Sequence, residues 1–196
     1  MCRRFLLTGL LLLASSAAYA HTGVGTTSGF AHGLAHPIGG IDHVLAMVAV
    51  GLFAAHLGGR ALWAVPLSFV TMMAAGGAAG MGGMELPFVD IGIGLSVVVL
   101  GAAVAFRLHL PTVAAMALVG LFAIFHGHAH GTEMPETASG FEYALGFVLA
   151  TAGLHGCGMG LGLVLGRMGE ATGGRISRVA GSAMALAGFA ILGGII

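Results

Sequence analysis

The chain alternates long apolar stretches with short polar connections. Six of these stretches approach the roughly 20 residues that a helix needs to cross a bilayer. We predict transmembrane helices at Gly39–Leu57, Leu62–Gly80, Phe88–Phe106, Thr112–His130, Phe141–Leu165 and Val179–Ile196. The connections are too short to hold a sizeable soluble domain. The pattern therefore predicts an all-α integral membrane protein built as a bundle of six transmembrane helices.

A shorter apolar stretch at the start of the chain has the features of a signal peptide. Two arginines precede the apolar run Phe5–Leu13, and residues 18–20 (AYA) have the small-x-small pattern of a cleavage site. We expect residues 1–20 to be removed and residues 21–196 to form the six-helix domain; an uncleaved first helix is the alternative. Cleavage leaves Cys157 as the only thiol, so we expect no intramolecular disulfide.

The composition agrees with a membrane location. Hydrophobic residues make up 58% of the chain and charged residues 7%, and the mean hydropathy is +1.03. A water-soluble domain could not cover its surface with so few charged residues. We therefore expect lipids to surround the protein. The formal net charge is zero, which argues against a nucleic-acid partner because phosphates need a basic surface.

Charge is divided between the two ends of the predicted helices. The arginines that follow the signal peptide all fall at one end, at Arg60, Arg107, Arg167, Arg175 and Arg178. Acidic residues gather at the other end, at Asp42, Glu85, Asp90, Glu133, Glu136 and Glu142. By the positive-inside rule the arginine end is cytoplasmic. We expect a multi-pass protein of the inner membrane, with an extracytoplasmic N-terminus and an acidic outer end that attracts cations.

The start of the first span carries three candidate metal ligands: His36, Asp42 and His43. Ionisable side chains at membrane depth usually mark an ion path, and imidazole suits divalent transition metals. On a straight helix the two histidines would lie about 10.5 Å apart along the axis, too far for one ion. Either residues 37–40 are non-helical and fold His36 back, or the two histidines act in sequence. Asp42 either binds the metal, orients an imidazole, or caps the helix.

The end of the fourth span is rich in histidine. His126 and His130 are one helical turn apart, so both can reach a single ion from one face. Glu133 continues that face, and we expect Glu133 and Glu136 to attract cations at the mouth more than to coordinate them. His128 points away and is the weakest candidate. A surface tract that binds metal loosely is the alternative.

His155 lies midway along the fifth span, where a polar side chain is least expected. Met159 follows one turn later, and Cys157 lies between them. Imidazole with a soft thioether would suit a late transition metal. A buried imidazole bonded to a nearby carbonyl is the alternative for His155, and ordinary core packing is the alternative for the two sulfur residues.

Two further histidines precede the first span. After cleavage, His21 would carry both an α-amino group and an imidazole, which can chelate a metal together. A disordered terminus without this function is the alternative. His32 is a candidate helper in the same extracytoplasmic segment.

Two segments carry a resemblance to a known family. The segment from His36 to His43 (HPIGGIDH) and the segment from Phe125 to Glu133 (FHGHAHGTE) resemble the two histidine motifs of the HupE/UreJ nickel/cobalt permeases. The resemblance implies uptake of Ni²⁺ or Co²⁺ across a bacterial inner membrane, often for hydrogenase or urease maturation. It also implies metal-related roles for the family's matching positions, which are His36, Asp42, His43, His126, His130 and Glu133.

We therefore predict a permease and not an enzyme, with a nickel or cobalt ion as cargo and no catalytic cofactor. A cytosolic nickel chaperone or a hydrogenase or urease maturation system is a candidate recipient. One alternative is a membrane sensor or storage protein that binds metal without flux. Another is a membrane-embedded metalloenzyme such as a di-iron hydroxylase, which would need many ligands around one site.

Overall fold

The computed structural model describes residues 29–134 and 139–196. Within them the chain forms helices and no strands, which confirms the all-helical class. The α-helices are α1 (Gly29–Gly39), α2 (Ile41–Leu57), α3 (Ala61–Met81), α4 (Val89–Ala105), α5 (Thr112–Thr132), α6 (Gly140–Arg167) and α7 (Arg175–Leu192). A π-helical turn, Glu170–Gly174, joins α6 to α7. The predicted signal peptide, His21 and Glu136 lie outside the described residues.

The helices have the length and composition of membrane spans. Four helical segments are long and apolar enough to cross a membrane on their own: α3, α5, α6, and α7 extended by its π-helical turn. The bent pair α1 and α2 is long and apolar enough when it is counted as one broken span. The remaining apolar helix, α4, has 17 residues, slightly fewer than an untilted span requires. The described part of the chain is therefore a multi-pass helical membrane protein with four or five clear span candidates. The count of six stays a prediction.

The first predicted span is broken. Gly40 has an extended backbone (φ −94°, ψ 118°), and the axes of α1 and α2 differ by 81° across it. A break in this segment was one of the two alternatives for the first span, and the structure limits the break to Gly40, because α1 includes Pro37 and continues to Gly39. Pro37 lacks an N–H group, but near the end of a helix this removes only one helical hydrogen bond.

Glycine allows the helices to approach closely. The most extensive packing joins α3 to α5, α4 to α7, and both α1 and α2 to α6. A Cβ atom on Gly127 of α5 would lie 1.9 Å from the carbonyl oxygen of Met73 on α3, and one on Gly158 of α6 would lie 2.3 Å from that of Val48 on α2. Small residues at such crossings are typical of membrane helices, whose association depends on close van der Waals packing.

Polar residues of separate connections come together in two groups, one at each end of the bundle. At one end, Arg107 and Arg178 both pair with Glu170. At the opposite end, Glu133 lies between His36 and His130. The fold thus brings together the charged groups that the sequence distributes over separate connections.

Candidate metal-binding site

Three histidines from two helices converge near the acidic end of the bundle. One ring nitrogen each from His43 on α2 and from His126 and His130 on α5 lies within 4.8 Å of the others. A metal ion bonded to each nitrogen at about 2.1 Å needs nitrogen separations of at most about 4.2 Å. Small rotations of these rings would therefore let one ion bind all three. We call His43, His126 and His130 the histidine triad.

The triad is removed from solvent. His43 and His126 have no exposed surface, and the His130 side chain is 14% exposed. The rings of His43 and His130 both contact the ring of Phe147 on α6, at 5.1 and 4.7 Å between centroids. An ion bound here would therefore sit in a poorly hydrated pocket, where charge interactions are stronger than in water.

A hydroxyl group on α4 determines which nitrogen of His126 carries the proton. The Ser96 hydroxyl donates to the carbonyl of Ile93 at 2.6 Å, so it accepts a hydrogen bond from His126 Nε2–H at 2.7 Å. The lone pair of His126 is then on Nδ1. This buried atom has no hydrogen-bond partner among the described residues. Ser96 thereby leaves His126 with a nitrogen available for metal binding.

His43 and His130 are oriented in the same way. The Thr151 hydroxyl lies 3.2 Å from His43 Nε2 and 3.7 Å from the sulfur of Met73. The Glu133 carboxylate accepts from His130 Nδ1 at 3.2 Å. The remaining nitrogens, His43 Nδ1 and His130 Nε2, are 3.2 Å apart, within hydrogen-bond distance of each other. One of them therefore donates to the other, and a metal ion that bound both nitrogens would take the place of that proton.

Buried polar groups without a partner are costly. An unsatisfied buried donor or acceptor destabilises a fold by roughly 1–3 kcal/mol. In the part of the chain that the structure describes, three such side-chain atoms occur, and all belong to histidines: Nδ1 of His126 and both ring nitrogens of His155. Functional sites commonly retain such unpaired groups.

A second group of ligands lies just outside the triad. His36, His130 and Glu133 each offer an atom within 4.8 Å of the others, and His36 Nε2 is 3.0 Å from the Glu133 carboxylate. We call these three residues the outer group. Because His130 belongs to both sets, an ion could pass from the outer group to the triad without losing that ligand.

The outer group faces an open cavity of about 460 Å³. Hydrogen bonds to His130 and His36 lower the pKa of the Glu133 carboxyl from 4.5 to about 2. Glu133 is therefore ionised at any pH near neutrality. It presents a permanent negative charge to an approaching cation, and with its half-exposed side chain it remains accessible to water.

Asp42 and His32 also line this cavity. Asp42 Oδ1 accepts a hydrogen bond from the backbone N–H of His43 at 2.6 Å, a contact that holds the start of α2. His32 is exposed, and its ring stacks on that of His36 with centroids 5.9 Å apart. Neither residue belongs to the ligand sets defined above, so their positions favour supporting roles at the entrance.

The other candidates lie away from the two ligand sets. His128 is bonded through Nε2 to the Met84 carbonyl at 2.6 Å. Cys157 is exposed on α6, and Met159 is partly buried against the hydrophobic core. His155 is 1% exposed and has the ring of Phe69 against it at 5.2 Å. The hydrogen bond to a carbonyl that was one interpretation of His155 is not found among the described residues.

Sequence reasoning missed the residues that orient the triad. Ser96 and Thr151 are fully buried hydroxyls, but isolated serines and threonines are common in membrane helices. No spacing links Ser96 to His126 or Thr151 to His43. The only signal in the sequence was the presence of a hydroxyl residue within an apolar helix. That signal identifies a histidine partner only when the positions of the packed helices are known.

The fold and the site together define a helical membrane protein with a buried cluster of imidazole ligands open to one end. The family model described as "HupE / UreJ protein" matches residues 9–191. Protein HupE from Rhizobium leguminosarum bv. viciae is 48% identical over 184 residues, covering 93% of this chain and 94% of that protein. The chain therefore belongs to the HupE/UreJ family, and the resemblance seen in its motifs is confirmed. No solved structure matches the chain.

Proposed function

We propose that this protein carries Ni²⁺ or Co²⁺ inward across the bacterial inner membrane. The observation that carries the proposal is the convergence of one ring nitrogen from each triad histidine within 4.8 Å of the others, while each ring also has a nitrogen within hydrogen-bond distance of an oxygen. Neutral imidazole is a favoured ligand of late divalent metals. The resemblance of both histidine motifs to nickel/cobalt permeases supports the same cargo.

The arrangement suits stepwise entry. A hydrated cation is attracted by Glu133 and the other acidic groups at the outer end, and exchanges waters for His36, His130 and Glu133. His43 and His126 then replace His36 and Glu133 while His130 stays bound. Exchanging one ligand at a time avoids the large cost of stripping all the water from a divalent ion in one step.

The membrane potential supplies enough free energy for uptake. A divalent cation that moves to the negative side gains about 4.6 kcal/mol per 100 mV, from about 2.3 kcal/mol per unit charge. This corresponds to accumulation of about three orders of magnitude. We therefore propose uptake without nucleotide hydrolysis, from an extracytoplasmic triad to a cytoplasmic arginine end.

The arginine end also bears on the recipient of the ion. Arg107 and Arg178 repel a released cation, and their shared partner Glu170 provides a single compensating carboxylate. We propose that release is assisted by a cytosolic metal-binding partner, of the kind that supplies hydrogenase or urease maturation. Association of this chain with such a partner in detergent, dependent on the metal, would support this step.

Transport can be tested with purified protein in liposomes. Under an inward-negative potassium diffusion potential, Co²⁺ or Ni²⁺ entry is followed with an internal metal-sensitive dye. We expect potential-dependent entry for the wild type. His43→Ala and His126→Ala should each reduce entry at least about tenfold, because the loss of a residue that only orients a metal ligand already reduces metal affinity or activity by that factor. His109→Ala is the matched control, because this exposed histidine lies beside His56 at the opposite end.

The same experiment separates the alternatives. Tight metal binding by the wild type without any entry would contradict transport and support a sensor or storage protein. Equal entry in the triad variants and in His109→Ala would show that the ion takes another path.

A further inference from the structure

Beneath the triad, two helices face each other in successive layers. Met73 and Phe69 are four residues apart on α3, and Thr151 and His155 are four residues apart on α6, so each pair lies on one face of its helix. Thr151 contacts Met73 at 3.7 Å, and His155 contacts Phe69 with ring centroids 5.2 Å apart. The second layer therefore lies one turn, about 6 Å, deeper than the first.

Phe69 lies between two histidines. Its ring is 5.9 Å from that of His126 and 5.2 Å from that of His155, between centroids. Phe69 is completely buried. An apolar ring in this position excludes water between the triad and the deeper histidine.

His155 is unusual because neither ring nitrogen has a hydrogen-bond partner within residues 29–134 and 139–196. A histidine kept for packing alone would be replaced at lower cost by an apolar residue of similar size. A neutral imidazole with a free lone pair is, however, a ligand for late divalent metals. Because the Phe69 ring contacts both His126 of the triad and His155, a metal ion moving from the triad to His155 would pass this ring.

We propose that His155 forms a second, deeper binding site for a divalent transition metal, and that the Phe69 side chain is the barrier separating this site from the histidine triad. The proposal extends the proposed transport function, since a barrier between two ligand sites prevents an open channel. In the conformation described here the barrier is closed, and the Phe69 ring lies against the His155 ring in the space that an ion bound to His155 would occupy, so at equilibrium the deeper site of the wild type is mostly empty. The ion passes when the Phe69 ring rotates away, and it exchanges a triad ligand for His155.

Metal stoichiometry tests the proposal independently of flux. Purified protein in detergent is equilibrated with Co²⁺, and bound metal is measured by equilibrium dialysis and mass spectrometry. Replacing the barrier by Phe69→Ala should add one equivalent of bound Co²⁺ per chain relative to the wild type. The double variant Phe69→Ala/His155→Ala should lose that added equivalent and retain the wild-type stoichiometry.

The matched control is Phe53→Ala, which truncates another completely buried phenylalanine and should add no metal. Circular dichroism and size-exclusion chromatography establish folding, and Phe69→Leu replaces Phe69→Ala if the latter fails to fold. An unchanged stoichiometry in the folded Phe69 variant, or an added equivalent that persists in the double variant, would overturn the proposal.

Flux provides the second arm. In liposomes, His155→Ala should reduce Co²⁺ entry at least tenfold while leaving the affinity of the triad for Co²⁺ within twofold of the wild type. Unchanged entry would overturn the role of His155 in the path. A wild type that binds Co²⁺ without entry would refute the proposed transport function, whereas the stoichiometry of the Phe69 variants would still decide whether the deeper site exists.

Discussion

Histidines occur at both ends of the bundle, but their surroundings differ. In the triad, each ring has one nitrogen within hydrogen-bond distance of an oxygen, and one nitrogen of each ring lies within 4.8 Å of those of the other two. At the arginine end, both nitrogens of His56 are engaged by one residue, with Nε2 3.0 Å from the Arg107 carbonyl and Nδ1 3.4 Å from its guanidinium. The partners of the ring nitrogens, more than the presence of histidine, therefore distinguish a candidate ligand from a structural residue.

The surrounding charges reinforce this difference. The outer group contains a carboxylate, Glu133, paired with its two histidines. Around His56 it is the guanidinium of Arg107, which has a left-handed backbone (φ 50°). A cation is attracted to the first environment and repelled by the second. Four variants test this contrast.

The largest effect should come from the ligand that both sets share. We expect His130→Ala to reduce Co²⁺ affinity and entry at least about 100-fold, the upper limit found for supporting residues around metal sites. His56→Ala should change both by less than about twofold, because its nitrogens already have partners. Isothermal titration with Co²⁺ and liposome uptake measure these effects, and similar losses in the two variants would contradict the contrast.

Removing the hydroxyl that orients His126 should have the next largest effect. Ser96→Ala leaves His126 in place but removes the hydrogen bond that fixes its tautomer and ring orientation. Co²⁺ affinity should therefore fall about 10- to 100-fold. Ser68→Ala is the matched control, because the Ser68 hydroxyl donates to the Met116 carbonyl and not to a histidine in the part of the chain that the structure describes. Equal affinities in the two variants would show that Ser96 does not position the ligand.

The packing that carries two triad ligands can also be tested. In Gly127→Ala the new Cβ would meet the Met73 carbonyl at 1.9 Å, so we expect a loss of stability of about 1–3 kcal/mol. Gly153 has nothing within 4 Å of an added Cβ, and Gly153→Ala should be neutral or slightly stabilising. Thermal unfolding in detergent compares them, and a Gly127→Ala variant as stable as Gly153→Ala would disprove the close contact.

The smallest effect concerns pH. Imidazole must lose its proton to bind metal, so uptake should decline and not rise as the external pH is lowered. Glu133 does not cause this decline: its pKa is lowered to about 2, so the stability that its ionised form contributes is present above about pH 4.5 and lost only as the pH falls through about 2. Uptake that rises as the pH is lowered from about 7.5 to about 5.5 would contradict imidazole coordination.

Glu133→Gln tests the charge of the entrance directly. Removing the negative charge weakens the attraction between the entrance and a cation, so Co²⁺ entry at neutral pH should fall. For a half-exposed carboxylate we expect a loss of about 1.4- to 5-fold, corresponding to roughly 0.2–1 kcal/mol. Glu142→Gln, at the same end of the bundle, is the control. Equal entry in Glu133→Gln and Glu142→Gln would show that the charge of Glu133 does not attract the ion.

Sequence reasoning predicted the parts of the site that depend on one helix. The four-residue spacing of His126 and His130 places both on one face, and the structure brings one nitrogen of each together. It named His43 as a candidate ligand, but the distance from His43 to His126 and His130 could not be predicted, because it depends on how α2 and α5 pack. It also missed α1 and located the chain break too broadly, since one extended residue, Gly40, is enough to turn the chain.

The hydrophobic pattern predicted the helical class, but helix length limits the count of spans. Five of the predicted spans match helices whose ends differ by a few residues, and the sixth corresponds to α7. Helix α4 has 17 residues, fewer than a typical span, and the first span is bent by 81° between α1 and α2. A helix in a packed bundle can therefore be shorter than a typical span, or broken. Such features come from tertiary contacts and leave only a weak trace in local hydropathy.

The break at Gly40 has one more consequence. Because α1 ends at Gly39, its last carbonyl groups lack helical partners, and its C-terminus carries the equivalent of about half a negative charge from aligned peptide dipoles. This end lies on the cavity, while Asp42 screens the positive start of α2. Part of the attraction for cations thus belongs to the backbone itself, and it persists when every acidic side chain at the entrance is neutralised.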